Sequence, residues 1–257
     1  MVRQIVTEAL SGAGYTVLAF ENGELALEAA RSSTRHIHLL VTDVACGHFS
    51  SDFGLRLRGE NLGRFHLSIP GYHNVLNAAA AVAVALELEV PAARISEALA
   101  TFAGVDRRFQ KRGEARGVTV IDDYGHHPTE IRATLAAARL CEFRRILAIF
   151  QPHRYTRTRA LMDEFARSFN QADQLYLLDI YAASEKPIEG VSAFALADRL
   201  RAFGHRGVNY VGSLDQAVEA VLRDAEPGDL VMTLGAGSVW QAGDRILDRL
   251  RGQRDGS

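Results

Sequence analysis

Short apolar runs alternate with amphipathic segments from about residue 113 to residue 251. The runs VTVI (118–121) and ILAIF (146–150) are typical of strands that are buried on both faces of a parallel sheet. Segments with helical periodicity separate these runs, and proline or glycine often marks their ends. The alternation predicts an α/β fold in which residues 109–257 form a Rossmann-like domain with about five strands in a mainly parallel sheet.

The same alternation locates the individual elements. Five strands are predicted within 118–124, 144–152, 174–181, 208–211 and 229–237. Five helices are predicted within 128–140, 158–170, 192–204, 214–226 and 239–251. Upstream, an alanine-rich helix at 71–90 and a second helix at 92–104 precede a charged stretch punctuated by glycine. We place a domain boundary in that stretch, near Arg108.

The first 45 residues form a separate block, in which helix, strand, helix and strand are predicted to follow one another. Its last strand is predicted to end at Asp43. This order resembles the middle of a response-regulator receiver domain, with Asp43 at the phosphoacceptor position, but the acidic pair that would bind Mg²⁺ is missing. We therefore favour a short α/β block without a signalling role and divide the chain into 1–45, 46–108 and 109–257.

The composition is that of an ordinary globular protein, with 47% hydrophobic and 23% charged residues. The net charge of −2 indicates no general attraction to nucleic acid or to a membrane surface. Two cysteines cannot build a disulfide framework, and the longest apolar stretch (77–90) is too short to span a bilayer. Since the first residues also lack the apolar core of a signal peptide, we expect a cytoplasmic protein.

Polar side chains are concentrated in two segments that follow predicted strands, DDYGHHPTEI (122–131) and FQPHRYTRTR (150–159). Ligands of open α/β sheets bind outside the carboxyl ends of the strands. The two segments therefore predict a polar site at that edge, suited to an anionic substrate and a nucleotide. The remaining histidines, among them His36, His38, His48 and His66, have no metal-binding spacing, and we predict no protein-held metal site.

Five segments occur in an order that resembles the Mur ligase family: GYHNVLNAAAA, FAGVDRRFQKRG, DDYGHHPTEI, FQPHRYTRTR and YAASEKPIEGVSA. The resemblance extends from about residue 64 onward and is strongest to the alanine-adding branch. It implies an ATP-dependent, Mg²⁺-assisted ligase of peptidoglycan precursor synthesis that joins L-alanine to UDP-N-acetylmuramate. The small-molecule partners that it implies are L-alanine, UDP-N-acetylmuramate and ATP.

The resemblance also implies roles for residues at matching positions. ATP would be held by His73, Asn74, Asn77, Arg108 and Asp122. Asparagine offers both a donor and an acceptor for an adenine edge, arginine offers a planar fork for phosphate, and a strand-end carboxylate can accept from ribose hydroxyls. The alternative for His73 and the asparagines is that they cap the alanine-rich helix, because Asn is a favoured N-cap residue.

Tyr124 and His126 match positions that line the reaction centre, where the amino acid meets the acyl phosphate. The alternative for this segment is that its acidic and histidine side chains cap the helix that begins at Pro128. His153, Arg154 and Arg157 match residues that grip the carboxylate of the incoming L-alanine, a group suited to a bidentate guanidinium. The alternative for the arginines is a solvated basic loop.

The chain departs from the family pattern in one respect, since G-x-x-x-x-G-K-[ST] occurs nowhere in it and neither lysine follows a glycine. This loop would cradle the phosphates of ATP. We therefore expect a truncated ligase that joins the tail of the central ATPase domain (46–108) to a C-terminal domain (109–257). Two other classes remain open: a non-catalytic domain that binds an amino acid or a nucleotide, and a receiver-fused signalling protein.

Overall fold

The computed structural model describes residues 39–47 and 49–252, which form two compact units that divide between Ala103 and Gly104. The helices and the strand predicted before residue 39 lie outside the described residues. Arg108, near which we placed the domain boundary, lies four residues inside the second unit. No helix in the described part of the chain is both long and apolar enough to cross a membrane.

Residues 39–47 and 49–103 of the first unit form a three-stranded antiparallel sheet and two helices. Its elements are β1 (Leu39–Gly47), β2 (Ser50–Leu57), β3 (Glu60–Leu67), α1 (Tyr72–Glu87) and α2 (Ala92–Thr101). Phe53 and Phe65 are paired across β2 and β3, and their rings stack with centroids 5.8 Å apart. Buried side chains of α1, including Val75 and Val82, pack against this pair to form the core of the unit. Both predicted helices are therefore confirmed.

The sheet of the first unit differs from the block predicted there. The strand that we expected to end at Asp43 continues to Gly47 and pairs antiparallel with β2, whereas a receiver-like block needs parallel strands. Asp43 lies inside β1, at an irregularity in the pairing. The hairpin of β2 and β3 was not predicted. In the structure its turn residues, Arg58 and Gly59, both have positive φ, as in a tight hairpin turn.

The second unit is built on a six-stranded sheet in the order β4-β5-β9-β6-β7-β8. Its strands are β4 (Gln110–Ala115), β5 (Val118–Asp123), β6 (Ile146–Phe150), β7 (Gln174–Leu178), β8 (Val208–Gly212) and β9 (Leu230–Leu234). All neighbours are parallel except β4 and β5, so the predicted α/β fold with a mainly parallel sheet is confirmed. The edge strand β4 was missed because it has no apolar run and half of its residues are charged, which is common at sheet edges.

Helices connect the parallel strands and cover both faces of the sheet. They are α3 (Pro128–Arg139), α4 (Tyr155–Ala160), α5 (Met162–Ala166), α6 (Ala193–Ala202), α7 (Leu214–Asp224) and α8 (Trp240–Gly252). On one face, α7 and α8 share a core with Leu147 and Ile149 of β6. On the other, Phe150 of β6 contacts Phe165 of α5. The helix predicted at 158–170 is therefore α4 and α5, which begin earlier and are interrupted at Leu161 (φ −119°).

The polar segments meet at the carboxyl edge of this sheet, as predicted. Asp123 at the end of β5 and Phe150 at the end of β6 are both in register with Leu234 at the end of the central strand β9. The segments after β5 and β6 consequently flank the glycine-rich loop that follows β9. A bridge between His153 and Tyr181 adds the segment after β7 to the same edge.

Candidate functional site

The carboxylate of Asp122 is buried at the end of β5 and is bonded on both sides. Its Oδ2 accepts from Nε of Arg107 at 2.9 Å, and its Oδ1 accepts from the hydroxyl of Thr233 at 2.5 Å. Nη2 of Arg107 also donates to the carbonyl of Gly235 at 2.7 Å. Arg107 therefore ties the end of β5 to the loop after β9. The carboxylate of Asp122 keeps lone pairs for a further donor, because two oxygens can accept about four bonds.

Asp123 points away from Asp122 and is also buried. It accepts from the backbone N–H groups of Phe109 at 2.8 Å and Gly125 at 2.7 Å. Burial raises the pKa of Asp123 to about 6, against the opposing effect of these hydrogen bonds and of Arg108. A Cβ atom at Gly125 would lie 2.7 Å from Oδ1 of Asp123, so the tight turn after β5 requires glycine at this position.

We expect Asp123→Asn to change how stability depends on pH. The folded protein binds this proton more tightly than the unfolded chain, so Asp123 contributes stability at low pH that is lost as the pH rises from about 4 through about 6. Urea unfolding of parent and variant from pH 4 to pH 7 should show the parent's stability falling by about 2 kcal/mol relative to the variant. A constant difference across this range would contradict the raised pKa.

The aromatic ring of Tyr124 lies beneath two guanidinium groups and beside a histidine. Cζ of Arg107 is 4.9 Å and Cζ of Arg108 is 5.7 Å from the ring centroid, within range of cation–π attraction. The ring of His126 meets Tyr124 edge-on at 5.2 Å and approaches the ring of His153 to 6.0 Å. Tyr124, His126 and His153, from two separate segments, are thus brought together.

The hydrogen bonds of His126 determine where its proton resides. Its Nδ1 lies 3.0 Å from the carbonyl oxygen of Tyr124, and a carbonyl can only accept. Burial lowers the pKa of His126, which favours the neutral ring. The neutral ring therefore carries its proton on Nδ1 and keeps the Nε2 lone pair for another partner.

The turn that carries His126 is fixed by a capping box at the start of α3. His127 is the N-cap residue and accepts from the backbone N–H of Thr129, while Glu130 accepts from the N–H groups of His126 and His127. The alternative role predicted for this segment, capping the helix that begins at Pro128, is therefore confirmed for His127. Capping at His127 leaves the imidazole of His126 available for other contacts.

His153 has the complementary arrangement. Its ring stacks on Tyr181 with the planes 10° apart, and its Nδ1 lies 3.4 Å from Nη1 of Arg157. Because a guanidinium can only donate, Nδ1 accepts and the neutral ring carries its proton on Nε2. Burial, followed by the positive charge of Arg157, lowers the pKa of His153. One site histidine thus has an accepting Nε2 and the other a donating Nε2.

Arg154 and Arg157 present two guanidinium groups beside His153. Arg154 is exposed and occupies the N-cap position of α4 with a φ of 73°, whereas Arg157 is half-buried one turn later. Among the residues that the structure describes, no carboxylate forms an ion pair with either side chain. Elsewhere in the unit arginines are commonly paired, as Arg112 is with Asp244. These two guanidinium groups are therefore able to bind an anion.

The two consecutive arginines before β4 have different surroundings. Arg108, which we predicted to bind ATP, is about half-exposed, and its Nη1 lies 3.9 Å from Oε1 of Glu130. Arg107, which we did not predict, holds Asp122 and the loop after β9. No signal within the sequence separates the two adjacent arginines, and Arg107 has a positive φ of 59° in the structure.

The other three predicted ATP ligands lie in the first unit, at the start of α1. His73 and Asn74 are in its first turn, and Asn77 lies one turn after His73 on the same side. The N-cap residue is Gly71, and Asn74 instead donates to the carbonyl of Pro70 at 2.8 Å. The alternative that these asparagines cap the helix is therefore wrong.

Comparison with known proteins finds relatives of one kind. Residues 107–237 match the family described as "Mur ligase, glutamate ligase domain". UDP-N-acetylmuramate–L-alanine ligase of Solibacter usitatus is 66% identical over 87% of this chain and 48% of its own length. The corresponding enzyme of a Geobacter species is 46% identical over 94% of this chain and 54% of its own length.

Solved structures agree with this assignment. UDP-N-acetylmuramate-alanine ligase MurC from Thermotoga maritima superposes with a TM-score of 0.73 at 27% identity, covering 84% of this chain and 46% of that one. A MurF ligase from the same organism shares the fold at 18% identity and a TM-score of 0.61. The chain spans about half the length of the curated relatives that it matches. Since the matched family region covers about half of the chain and includes all the predicted site residues of the second unit, the chain belongs to the Mur ligase family.

Proposed function

We propose that this chain provides the amino-acid site, and part of the ATP site, of a cytoplasmic UDP-N-acetylmuramate–L-alanine ligase. The observation that carries the proposal is the pair of arginines, Arg154 and Arg157, which have no carboxylate partner among the described residues and lie beside His153. The names and identities of the relatives support the choice of L-alanine and UDP-N-acetylmuramate as substrates.

The carboxylate of L-alanine would bind at the guanidinium of Arg157, with Arg154 adding charge from the N-cap of α4. A planar guanidinium binds a carboxylate through two parallel hydrogen bonds, which fixes direction as well as position. Arg157 is the better placed of the two for this task, because it is half-buried and its contact with His153 restricts its motion.

The two histidines would then act on the amine of L-alanine and on the acyl phosphate that it attacks. In the reaction, the nitrogen lone pair attacks the carbonyl carbon of the acyl phosphate, inorganic phosphate leaves, and the amine loses a proton. His126, neutral and with its Nε2 lone pair available, is suited to accept that proton. The Nε2–H of His153 is suited to donate to an oxygen that gains negative charge. Tyr124 would position His126 through their edge-on contact.

ATP supplies the phosphoryl group that activates the carboxylate of UDP-N-acetylmuramate, and Mg²⁺ offsets the phosphate charge when both are bound. In the second unit, the half-exposed guanidinium of Arg108 is suited to phosphate and the carboxylate of Asp122 to a ribose hydroxyl. The nucleotide contacts of His73, Asn74 and Asn77, which belong to the first unit, stay a prediction. The cation would be held mainly by phosphate oxygens, as is common for Mg²⁺.

Calorimetry followed by a product assay tests this proposal. L-alanine titrated into the chain in the presence of Mg-ATP should bind, whereas ethylamine, which is L-alanine without its carboxylate, should not. Release of ADP on addition of UDP-N-acetylmuramate would show that the chain also catalyses the reaction by itself. Binding of L-alanine without ADP release would instead favour a non-catalytic binding domain for the chain, in line with its lack of a G-x-x-x-x-G-K-[ST] loop. Equal binding of ethylamine and L-alanine would overturn the carboxylate site.

A further inference from the structure

The short helix that carries both arginines has no cap of its own. Helix α4 is six residues long, and its N-cap residue, Arg154, makes no side-chain hydrogen bond to the helix. The first N–H groups of a helix need acceptors from elsewhere. Here they are provided by a residue that lies about thirty positions further along the chain.

That residue is Glu185, in the segment after β7. Its Oε2 accepts from the backbone N–H of Thr156 at 3.0 Å, and its Oε1 accepts from the hydroxyl of Thr156 at 2.6 Å. Together these bonds lower the pKa of Glu185. Both oxygens of Glu185 therefore bind the first turn of α4 and not the neighbouring guanidinium groups.

The segment that presents Glu185 is itself fastened to the start of the arginine segment. The N–H of Tyr181 donates to the carbonyl of Pro152, and the N–H of Arg154 donates to the carbonyl of Tyr181, each at 2.8 Å. Between Tyr181 and Glu185, two non-glycine residues, Ala183 and Ser184, adopt positive φ values of 48° and 71°. Such backbone is unfavourable for non-glycine residues and persists only where surrounding contacts impose it.

We infer that Glu185 is a positioning residue for the amino-acid site: it fixes the first turn of α4 and thereby holds Arg154 and Arg157 where they meet the substrate carboxylate. This inference rests on the proposed function. The arrangement also prevents self-inhibition, because a mobile carboxylate at this point would compete with L-alanine for the arginines. The oxygens of Glu185 instead bind Thr156 and form no ion pair with either guanidinium group among the described residues.

Three variants test the inference. Glu185→Ala removes the cap, Glu185→Gln keeps an accepting oxygen, and Glu189→Gln is a matched control in the same segment, where Glu189 is exposed. The affinity for L-alanine, measured by calorimetry with Mg-ATP present, should fall about tenfold in Glu185→Ala, since a helix cap contributes about that factor. It should recover to within about threefold of the parent in Glu185→Gln, and Glu189→Gln should match the parent.

A double-mutant cycle that combines Glu185→Ala with Arg157→Ala separates positioning of the arginines from a general loss of stability. If Glu185 acts through the arginines, Glu185→Ala should have little further effect on L-alanine affinity in the Arg157→Ala background, while ATP affinity stays unchanged in both. The positioning role alone would be overturned if Glu185→Ala bound L-alanine as tightly as the parent. It would also be overturned if Glu185→Ala lowered the affinity by the same factor with and without Arg157→Ala. Absence of L-alanine binding in the parent chain would overturn the proposed function and the inference together.

Discussion

Replacing Arg157 by alanine should lower the affinity of the chain for L-alanine by about 100-fold. The variant loses charge-assisted hydrogen bonds to the substrate carboxylate, and bonds of this kind are among the strongest that a side chain can make. It also leaves Nδ1 of His153 without the donor that sets its protonation. Calorimetry with Mg-ATP present measures the effect directly.

Two further substitutions make this result specific to the bidentate contact. Arg157→Lys keeps the charge but loses the planar fork, and we expect an intermediate loss of about tenfold. Arg159→Ala removes a neighbouring exposed arginine on the same helix and should leave the affinity within about twofold of the parent. Equal losses in the Arg157 and Arg159 variants would mean that the helix attracts anions only through its general charge.

Replacing Asp229 by asparagine should destabilise the second unit by about 3 kcal/mol. Asp229 is fully buried just before β9 and accepts from Nε and Nη2 of both Arg144 and Arg145, at 2.7 to 3.2 Å. Burial alone would raise the pKa of Asp229, but these bonds outweigh it and the pKa is lowered. The amide cannot accept from both guanidinium groups in this way, so part of the network is left unsatisfied.

Thermal unfolding measures this loss, and an exposed carboxylate provides the control. The midpoint should fall by about 6–12 °C in Asp229→Asn. Asp198→Asn, which alters a surface pair with Arg201, should change the free energy of unfolding by less than about 0.5 kcal/mol. A midpoint for Asp229→Asn that equals that of Asp198→Asn would contradict a structural role for the buried network.

Local signals in the sequence were enough to predict much of the fold. The apolar runs of β5 and β6 and the helix signal at Pro128 depend on neighbouring residues, and each appears where it was predicted. The placement of the polar segments at one edge follows from the parallel order of the strands. The hairpin of β2 and β3 and the antiparallel pairing of β1 were missed, because antiparallel pairing is decided between segments and not within one.

The site was predictable in its residue types but not in its connections. Arg154, Arg157 and the histidines were found because they cluster within ten residues of a strand end. Tyr181 and Glu185, which orient them, lie about thirty residues away and become neighbours only when β7 lies beside β6. Likewise, the partner of Asp122 is Arg107 and not Arg108, in a turn where both Arg107 and Phe109 have positive φ.

Nuclear magnetic resonance of the arginine Nε–Hε groups would test the central claim most directly. Titration of L-alanine into the nitrogen-15-labelled chain with Mg-ATP should shift the signals of Arg157 and Arg154 together, saturably, and leave Arg159 unchanged. Ethylamine at the same concentrations should shift none of them. Two results would contradict an amino-acid carboxylate site at the carboxyl edge of this sheet. One is a saturable shift of other arginine signals while those of Arg154 and Arg157 stay unchanged, and the other is no shift of any arginine signal as L-alanine is added.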